Sequence, residues 1–426
     1  MAFDVVRFTD VLSQIVDNRG KTCPVGDSGL PLIATNCVNG IDLYPAYDTT
    51  RYVSEETYKN WFRGHPIPGD ILFVCKGSPG RTSLVPNPVD FCIAQDMVAV
   101  RANESKIDPA YLFAVLRSKM AQEQIMNMHV GTLIPHFKKG DFDKLMIPLP
   151  HRSVQEWIGD YYLKLSTRIN LLKETNKTLE AIAQAMFKSW FIDFDPVRAK
   201  MEGRAPAGLD EATAAMFPDV LVESELGLVP KGWTVKGLDQ IANYLNGLAL
   251  QKFPPTGHDD LPVIKIAQLR KGDTIGADRA SRALKPEYII KDGDVLFSWS
   301  GSLEVEIWCG GEGALNQHLF KVTSEKFAKW FYYLWTRKHL EHFRQVAASK
   351  ATTMGHIQRA HLSDAKVVVP SDQLLEVADG LFQPIIDRIT ANSLQAKTLS
   401  EIRDALLPRL ISGRLRITAD VPEGAV

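Results

Sequence analysis

Cysteine is scarce in this 426-residue chain and has no pairing pattern. Cys23, Cys37, Cys75, Cys92 and Cys309 are odd in number and form no C-x-x-C pair. That argues against a disulfide framework and against a zinc site, and the five read as reduced thiols. Long apolar runs are missing too, none approaching the ~18 residues that span a bilayer. The opening residues MAFDVVRFTD carry neither a basic leader nor an apolar signal core, so a cytoplasmic protein is expected. No G-x-x-x-x-G-K-[ST] phosphate loop is present, nor any G-x-G-x-x-G after a strand. The Asn-Pro pair at Asn87-Pro88 is followed by Val89-Asp90, which lacks the aromatic that an amino-methyltransferase pocket uses to stack a flipped base. His339 and His342 flank Glu341 without a third ligand at a standard spacing, so they read as solvated or partner-facing rather than as a metal site. Asp193 and Asp195 likewise read as a solvated helix end rather than a magnesium site. Neither a catalytic centre nor a metal is expected within the chain.

Charge of one sign is also lacking. The formal net charge is -1, where a nucleic-acid binder is expected to be basic. The average conceals a distribution. Residues 230–370 carry 19 Lys+Arg against 14 Asp+Glu, residues 191–229 carry 3 against 8, and residues 1–150 carry 15 against 16. A hydrophobic content of 45% and a charged content of 23% are those of an ordinary soluble protein, with length for two or three domains.

What the chain does contain is a long helical stretch and its copy. Leu165, Ile169, Leu172, Asn176, Leu179, Ala183, Met186 and Trp190 alternate steps of four and three, the seam of a coiled-coil helix. At an offset of 220 stand Ile385, Ile389, Asn392, Ala396, Leu399, Arg403, Leu406 and Leu410. Surface residues recur with the seam: Lys177-Thr178-Leu179 as Lys397-Thr398-Leu399, and Ile182 and Ala185 as Ile402 and Ala405. Matched surface at one offset argues for internal duplication. Ser153 and Glu156 have capping-box spacing at the start of the first helix. Its roughly 38 residues would extend about 57 Å. Pro384 predicts a kink or break in the second, and Gly413 its C-terminal cap.

The globular segments repeat as well. Gly69-Asp70-Ile71-Leu72-Phe73 is answered by Gly293-Asp294-Val295-Leu296-Phe297, and Gly77-Ser78 by Gly301-Ser302. Gln95 is answered by Gln317, and residues 132–136 by 352–356. In the first segment, strands are expected at 71–75, 97–100 and 145–150, and one helix from Pro109 to Asn127. Residues 194–219, rich in Pro, Gly and acidic side chains, read as a wrapped linker. Glu223 to Trp233 has no obvious copy before the first globule.

The ordered set of paired G-D-[IV]-L-F strands, FSWSGS at 297–302, TTMGHIQRAHL at 352–362, GLVPKGW at 227–233 and GLDEATAAMFPD at 208–219 resembles the specificity subunits of type I restriction-modification systems. The resemblance covers essentially the whole chain. It implies an α+β architecture with two mixed α/β target-recognition domains in tandem, separated by two long helices packed as an antiparallel coiled coil, with internal pseudo-twofold symmetry. The expected limits are recognition domain 1 at 1–152, first spacer helix at 153–192, linker at 193–229, recognition domain 2 at 230–370, second spacer helix at 371–414 and a tail at 415–426. Each domain would read half of a split double-stranded DNA target, with the helix pair as a stiff spacer between half-sites about one turn apart. Two modification subunits would bring S-adenosylmethionine and adenine N6-methylation, and restriction subunits would bring ATP- and magnesium-dependent cleavage. This chain would hold no cofactor.

Bases are read by paired donors and acceptors, while phosphate contacts fix register. The candidates are polar residues beside the repeated blocks: Lys76, Ser78, Arg81, Thr132, His136, Lys138 and Lys139 in the first half. In the second they are Ser298, Ser300, Ser302, Gln317, Thr353, His356, Gln358 and Arg359. Positions kept in both halves are expected to be scaffold, and those that differ to carry the different readings. An apolar surplus at Phe187, Trp190 and Phe191, with Ala181 and Ala185 off the seam, predicts an exposed face for the modification subunits. The competing readings are a coiled-coil scaffold without DNA contact, a fused stand-alone methyltransferase, and an orphan antitoxin or decoy.

Overall fold

A computed structural model describes residues 3–18, 21–47, 51–128, 135–349 and 355–415. The chain forms two compact units, residues 1–171 with 396–426, and residues 172–395. The first half contains β1 (Val5–Arg7), β2 (Leu12–Asp17), β3 (Leu30–Ile33), β4 (Tyr52–Val53), α1 (Glu55–Asn60), β5 (Ile71–Val74), β6 (Thr82–Leu84) and β7 (Cys92–Ile93). It continues with β8 (Met97–Ala102), α2 (Pro109–Arg117), α3 (Lys119–Met128), β9 (Met146–Pro148) and the long α4 (Arg152–Phe191). Next come α5 (Asp195–Met201), α6 (Glu211–Ala215) and a hairpin of β10 (Leu221–Ser224) and β11 (Gly227–Pro230). The second half has β12 (Thr234–Gly237), α7 (Leu238–Ile241), β13 (Asn243–Asn246), β14 (Leu261–Ile264), α8 (Ile266–Lys271), β15 (Arg279–Ala280), β16 (Ile289–Ile290) and β17 (Val295–Ser298). Then follow β18 (Val305–Ile307), β19 (Gly313–Leu315), β20 (Leu319–Thr323), α9 (Lys329–Ser349), α10 (Arg359–Asp364), β21 (Lys366–Val369) and α11 (Asp372–Ile411).

The duplication read from the sequence is one of topology. The first unit holds an antiparallel sheet ordered β2-β8-β5-β6, a smaller sheet β4-β3-β7 and the pair β1-β9. The second holds β13-β20-β17-β18, β15-β14-β19-β16 and β12-β21, the same plan with β16 added at an edge. In each smaller sheet one pair is parallel, β3 with β7 and β14 with β19. The repeated Gly-Asp has a shared cause. Gly69 and Gly293 sit at φ 86° and 88°, a region that glycine enters without a Cβ clash. The following Asp70 and Asp294 carboxylates accept from the backbone N–H of Ile67 and Lys291 at 2.9 and 2.8 Å, closing the turn into the buried strand. The counterpart of β12 is β1, whereas the β10–β11 hairpin has no copy among the described residues.

Four local expectations are corrected. The helix expected over 109–127 is two helices, because Ser118 is extended and its hydroxyl donates to Val115 O at 2.6 Å. The capping box at Ser153 does not form. Helix α4 starts one residue earlier, His151 O accepts from Val154 and Gln155, and Glu156 turns to Arg152 at 2.8 Å. Pro384 does not divide α11, which is one helix from Asp372 to Ile411. Pro384 and Gly380 are both exposed, so the Gly380 carbonyl that loses its helical donor can be solvated. The stretch after α4 is not a bare linker: Phe194, Val197 and Phe217 are buried with Trp190 and Trp233 in the core of the second unit.

The seam residues are buried or half-buried, and the matched Ile182 and Ile402 remain 45% and 43% exposed. Within the second unit Asn176 meets Ile389, Asn392 and Ser393 while Trp190 meets Phe382, so α4 and α11 run antiparallel. Within the first unit Arg403 donates to Ser166 and lies over the Tyr162 ring, 5.3 Å from its centroid. Gly159 lets α4 approach α2 closely, since a Cβ there would stand 2.6 Å from both Asp108 Oδ1 and Tyr111 N. Among the described residues no helix is long and apolar enough to cross a membrane, and no group of three His, Cys, Asp or Glu could hold a metal. His339 is not solvated as expected. It bonds Lys366 O through Nε2, and burial pushes its pKa down to about 4.

Candidate nucleic-acid interface

In each unit the central strand of the larger sheet runs into a glycine loop that is stitched to a distant segment. In the first unit Gly77 N donates to Pro135 O, Phe137 N to Cys75 O and Cys75 N to Asp96 O, at 2.9, 2.9 and 2.8 Å. In the second, Gly301 N donates to Gly355 O, Ile357 N to Trp299 O and Trp299 N to His318 O, at 2.9, 3.0 and 3.3 Å. Lys76 pairs with His136, and Ser300 with His356, as isolated antiparallel bridges. Gly77 and Gly301 take φ values of 86° and 66° at the turn. The backbone is therefore the same in both units, and the side chains on it differ.

The first locus is ionic. Lys76 and His136 are half-buried, while Arg81, Lys138 and Lys139 are exposed. Lys139 pairs with Asp17 at the end of β2, leaving Lys138 beside it on the surface. Ser78 is half-buried at the turn, where its carbonyl accepts from Arg81 N at 3.4 Å. Beneath the loop, burial pushes the Cys75 thiol up to about 12, so it stays protonated and uncharged.

The second locus is built around an aromatic ring. The Trp299 indole packs against Phe320, His318 and His356, with centroids 5.9, 6.1 and 6.1 Å away. Its N–H donates to Asn246 Oδ1 at 3.0 Å and to Gln317 O at 3.1 Å. Ser300 is buried against His318 Nδ1 at 2.9 Å, and Gln317 accepts from Asn316 Nδ2 at 2.7 Å. His356, Ser302 and Gln358 are exposed. Arg359 turns to Tyr244 O at 3.2 Å.

The sequence candidates thus divide. Lys76 and His136 meet across one bridge, and Ser300, Gln317 and His356 gather around Trp299. Ser298 is corrected to a structural role: it is fully buried, donating to Ser302 O at 2.6 Å and accepting from Glu304 N at 2.7 Å, which folds the loop. Thr132 and Thr353 lie outside the described residues. The apolar surplus at Phe187, Trp190 and Phe191 is also corrected. All three are at most 4% exposed and pack on Trp330, Trp335, Phe217 and Phe382, so they form core rather than an exposed face. Asn246, Trp299 and His318 were missed, as were Asp17 and Asp96. The available signal was Trp299 itself, standing where the otherwise matched first block has Cys75.

The model of the type I restriction modification DNA specificity domain matches residues 23–181 and again residues 230–399. The chain belongs to this family. Each specificity-domain match runs from a globular segment into a long helix, the unit that the sequence repeats. The chain is 26% identical over 403 residues to the type I restriction enzyme HindI specificity subunit of Haemophilus influenzae, covering 82% of this chain and 86% of that one. It is 25% identical over 358 residues to the MjaIX specificity subunit of Methanocaldococcus jannaschii, covering 82% and 78%. Among solved structures, the type I restriction-modification S subunit from M. genitalium shares the fold, with a TM-score of 0.56 over 96% of each chain at 14% identity.

Proposed function

We propose that this chain is the non-catalytic, sequence-reading subunit of a type I restriction-modification complex, with each unit reading one half of a bipartite, asymmetric double-stranded DNA target. The observation that carries this reading is the repeated loop locus. One backbone arrangement bears Lys76, Cys75, His136 and Asp96 in the first unit and Ser300, Trp299, His356 and His318 in the second. A scaffold kept twice, histidine included, with the side chains at 76/300, 75/299 and 96/318 exchanged is what two different half-sites require, since direct readout depends on which donors and acceptors meet the base edges. The lysines and arginine of the first locus supply phosphate contacts as well, which helps a chain of net charge -1 to bind DNA. The proposed recognition domains are residues 1–152 and 230–370.

In this proposal the chemistry belongs to partners in the cytoplasm. Two modification subunits supply S-adenosylmethionine and methylate adenine, and restriction subunits supply ATP- and magnesium-dependent cleavage. Their seat passes from the buried Phe187, Trp190 and Phe191 to the outward faces of the helices. There Ile182 with Ala185 and Ile402 with Ala405 are exposed at matched positions, two copies of one patch for two copies of one partner. Ile182→Asp with Ile402→Asp is expected to abolish co-purification of the modification subunits, and intact co-purification would remove this assignment. The function itself is tested by methylation-detecting sequencing of cells that carry this chain with its modification partner. Methylated adenines in a split, asymmetric motif are expected, and a continuous palindromic motif would overturn the reading.

A further inference from the structure

The hydrogen bonds around Trp299 fix which way two amides of the second locus point. An indole N–H can only donate, so the Asn246 atom 3.0 Å away is its carbonyl oxygen, Oδ1. The backbone N–H of His318 donates to Asn316 Oδ1 at 3.3 Å. That leaves Asn316 Nδ2 to donate to Gln317 Oε1 at 2.7 Å. Each oxygen thereby accepts one bond from the protein, of the two it can take, and the amide is held in one orientation. The amide N–H ends of Asn246 and Gln317 are the opposite ends from those held oxygens. Gln317 Nε2 has one contact among the described residues, His318 Nε2 at 3.5 Å, and Asn246 is exposed at the end of β13.

An amide reads adenine by giving an N–H to N7 and taking one from N6, which needs its oxygen. With each oxygen turned to a protein donor, the NH2 end is the one free of such a bond, and the paired adenine contact is disfavoured. Donors alone complement the O6 and N7 acceptors of guanine. We infer that Asn246 and Gln317, locked by Trp299 and Asn316, are specificity-determining donors that read a guanine in the half-site of the second unit. This rests on the sequence-reading function proposed above. The lock is confined to one unit. The first has Cys75 in place of the indole, and Asp17, which pairs with Lys139 there, in place of Asn246.

The same donors would also suit a phosphate oxygen, and the test separates the two sources. Motifs methylated in cells by the complex are compared for the parent chain, Asn246→Asp, Gln317→Glu and Trp299→Phe. Loss of a donor should weaken the preference for guanine at one position of one half-site by about 5- to 150-fold, with the other half-site unchanged. Trp299→Phe keeps a ring but releases the Asn246 amide, and should admit adenine at that position. In vitro, the parent complex should bind a duplex carrying 7-deazaguanine at that position more weakly, and the Asn246→Asp complex should be indifferent to it. An unchanged motif with uniformly weaker binding would assign the donors to phosphate and overturn the inference. So would a change in both half-sites, or at a position that is not a G·C pair. If the parent complex methylates no split motif at all, it is the proposed function that fails.

Discussion

Removing one asparagine from the helical seam of the second unit should destabilise it, and removing both should not. Asn392 is 6% exposed, and its Nδ2 donates to Asn176 Oδ1 at 2.9 Å. Asn176 in turn donates to Ile389 O and Ser393 Oγ, each at 3.0 Å. Leucine branches at the same carbon as asparagine, so Asn176→Leu fills similar space while withdrawing the acceptor. The Asn392 amide then remains buried without its partner, at a cost of roughly 1–3 kcal/mol. Asn392→Leu strands the Asn176 oxygen instead, at a smaller cost because Asn176 is half-buried and water can reach it. In the double variant no polar group is left waiting, and the seam gains two apolar contacts. Its stability should return to within about 1 kcal/mol of the parent or exceed it.

The assay is a double-mutant cycle in thermal melts. For a unit spanning residues 172–395, each kcal/mol is worth about 2–4 °C, so Asn176→Leu should lower the transition by roughly 2–12 °C. The coupling energy of the cycle should be about 1–3 kcal/mol. A double variant that loses as much as the two singles combined would refute the reasoning, because the two amides would then be acting independently. A pair that adds little stability but tolerates only one partner is suited to setting the alignment of the two helices.

Three further outcomes follow from local geometry. Gly159→Ala should destabilise the first unit by about 2 kcal/mol or more in urea unfolding, although the same change in an open helix stabilises by about 1 kcal/mol; the new Cβ would meet Asp108 Oδ1 and Tyr111 N at 2.6 Å. Pro384→Ala should stabilise α11 by about 1–3 kcal/mol, by restoring a donor to the Gly380 carbonyl, with the helical circular-dichroism signal preserved. The pH dependence of the second unit should have two opposed arms. His339 is held down to about 4 by burial, so its contribution is present above about 6.5 and lost as the pH falls through 4. Burial raises Glu306 to about 7, so its contribution is present below about 4.5 and lost as the pH rises through 7. His339→Gln should flatten the acid arm and Glu306→Gln the neutral one, each by about 1–3 kcal/mol in melts from pH 4 to 8.

Much of the fold was legible because the repeated residues answer repeated physical demands. A turn at positive φ needs Gly69 and Gly293, and a carboxylate one residue on must hold the turn closed. The seam was legible because burial on one face of a helix imposes a period. The misreadings share a different cause. Nothing in the apolar period of 109–127 marks Ser118 as a break, since its hydroxyl replaces the helical bonding locally. Phe187, Trp190 and Phe191 looked surplus only because their partners, such as Trp330 and Phe382, lie far away in sequence. Ser298 looked like a reader because its hydroxyl is polar, but both of its bonds stay within its own loop.

The glycine turns fix the loop from inside in both units, and in the second the Ser298 hydroxyl does so as well, where Val74 stands in the first, without contributing to what either one offers DNA. Positions 75 and 299 occupy the next place along the same strand-to-loop path, with both backbones bonded to the segment that carries His136 or His356. Cysteine at the first leaves the neighbouring lysines to define the surface. Tryptophan at the second brings an indole N–H that orients Asn246 and also bonds Gln317 O. The exchange at this place acts together with those at Lys76/Ser300, Asp96/His318 and Asp17/Asn246, while the backbone bonds beneath it are kept. Grafting Trp299 alone onto position 75 should not transfer the second specificity, because Asp17, not an asparagine, would face it and is already paired with Lys139.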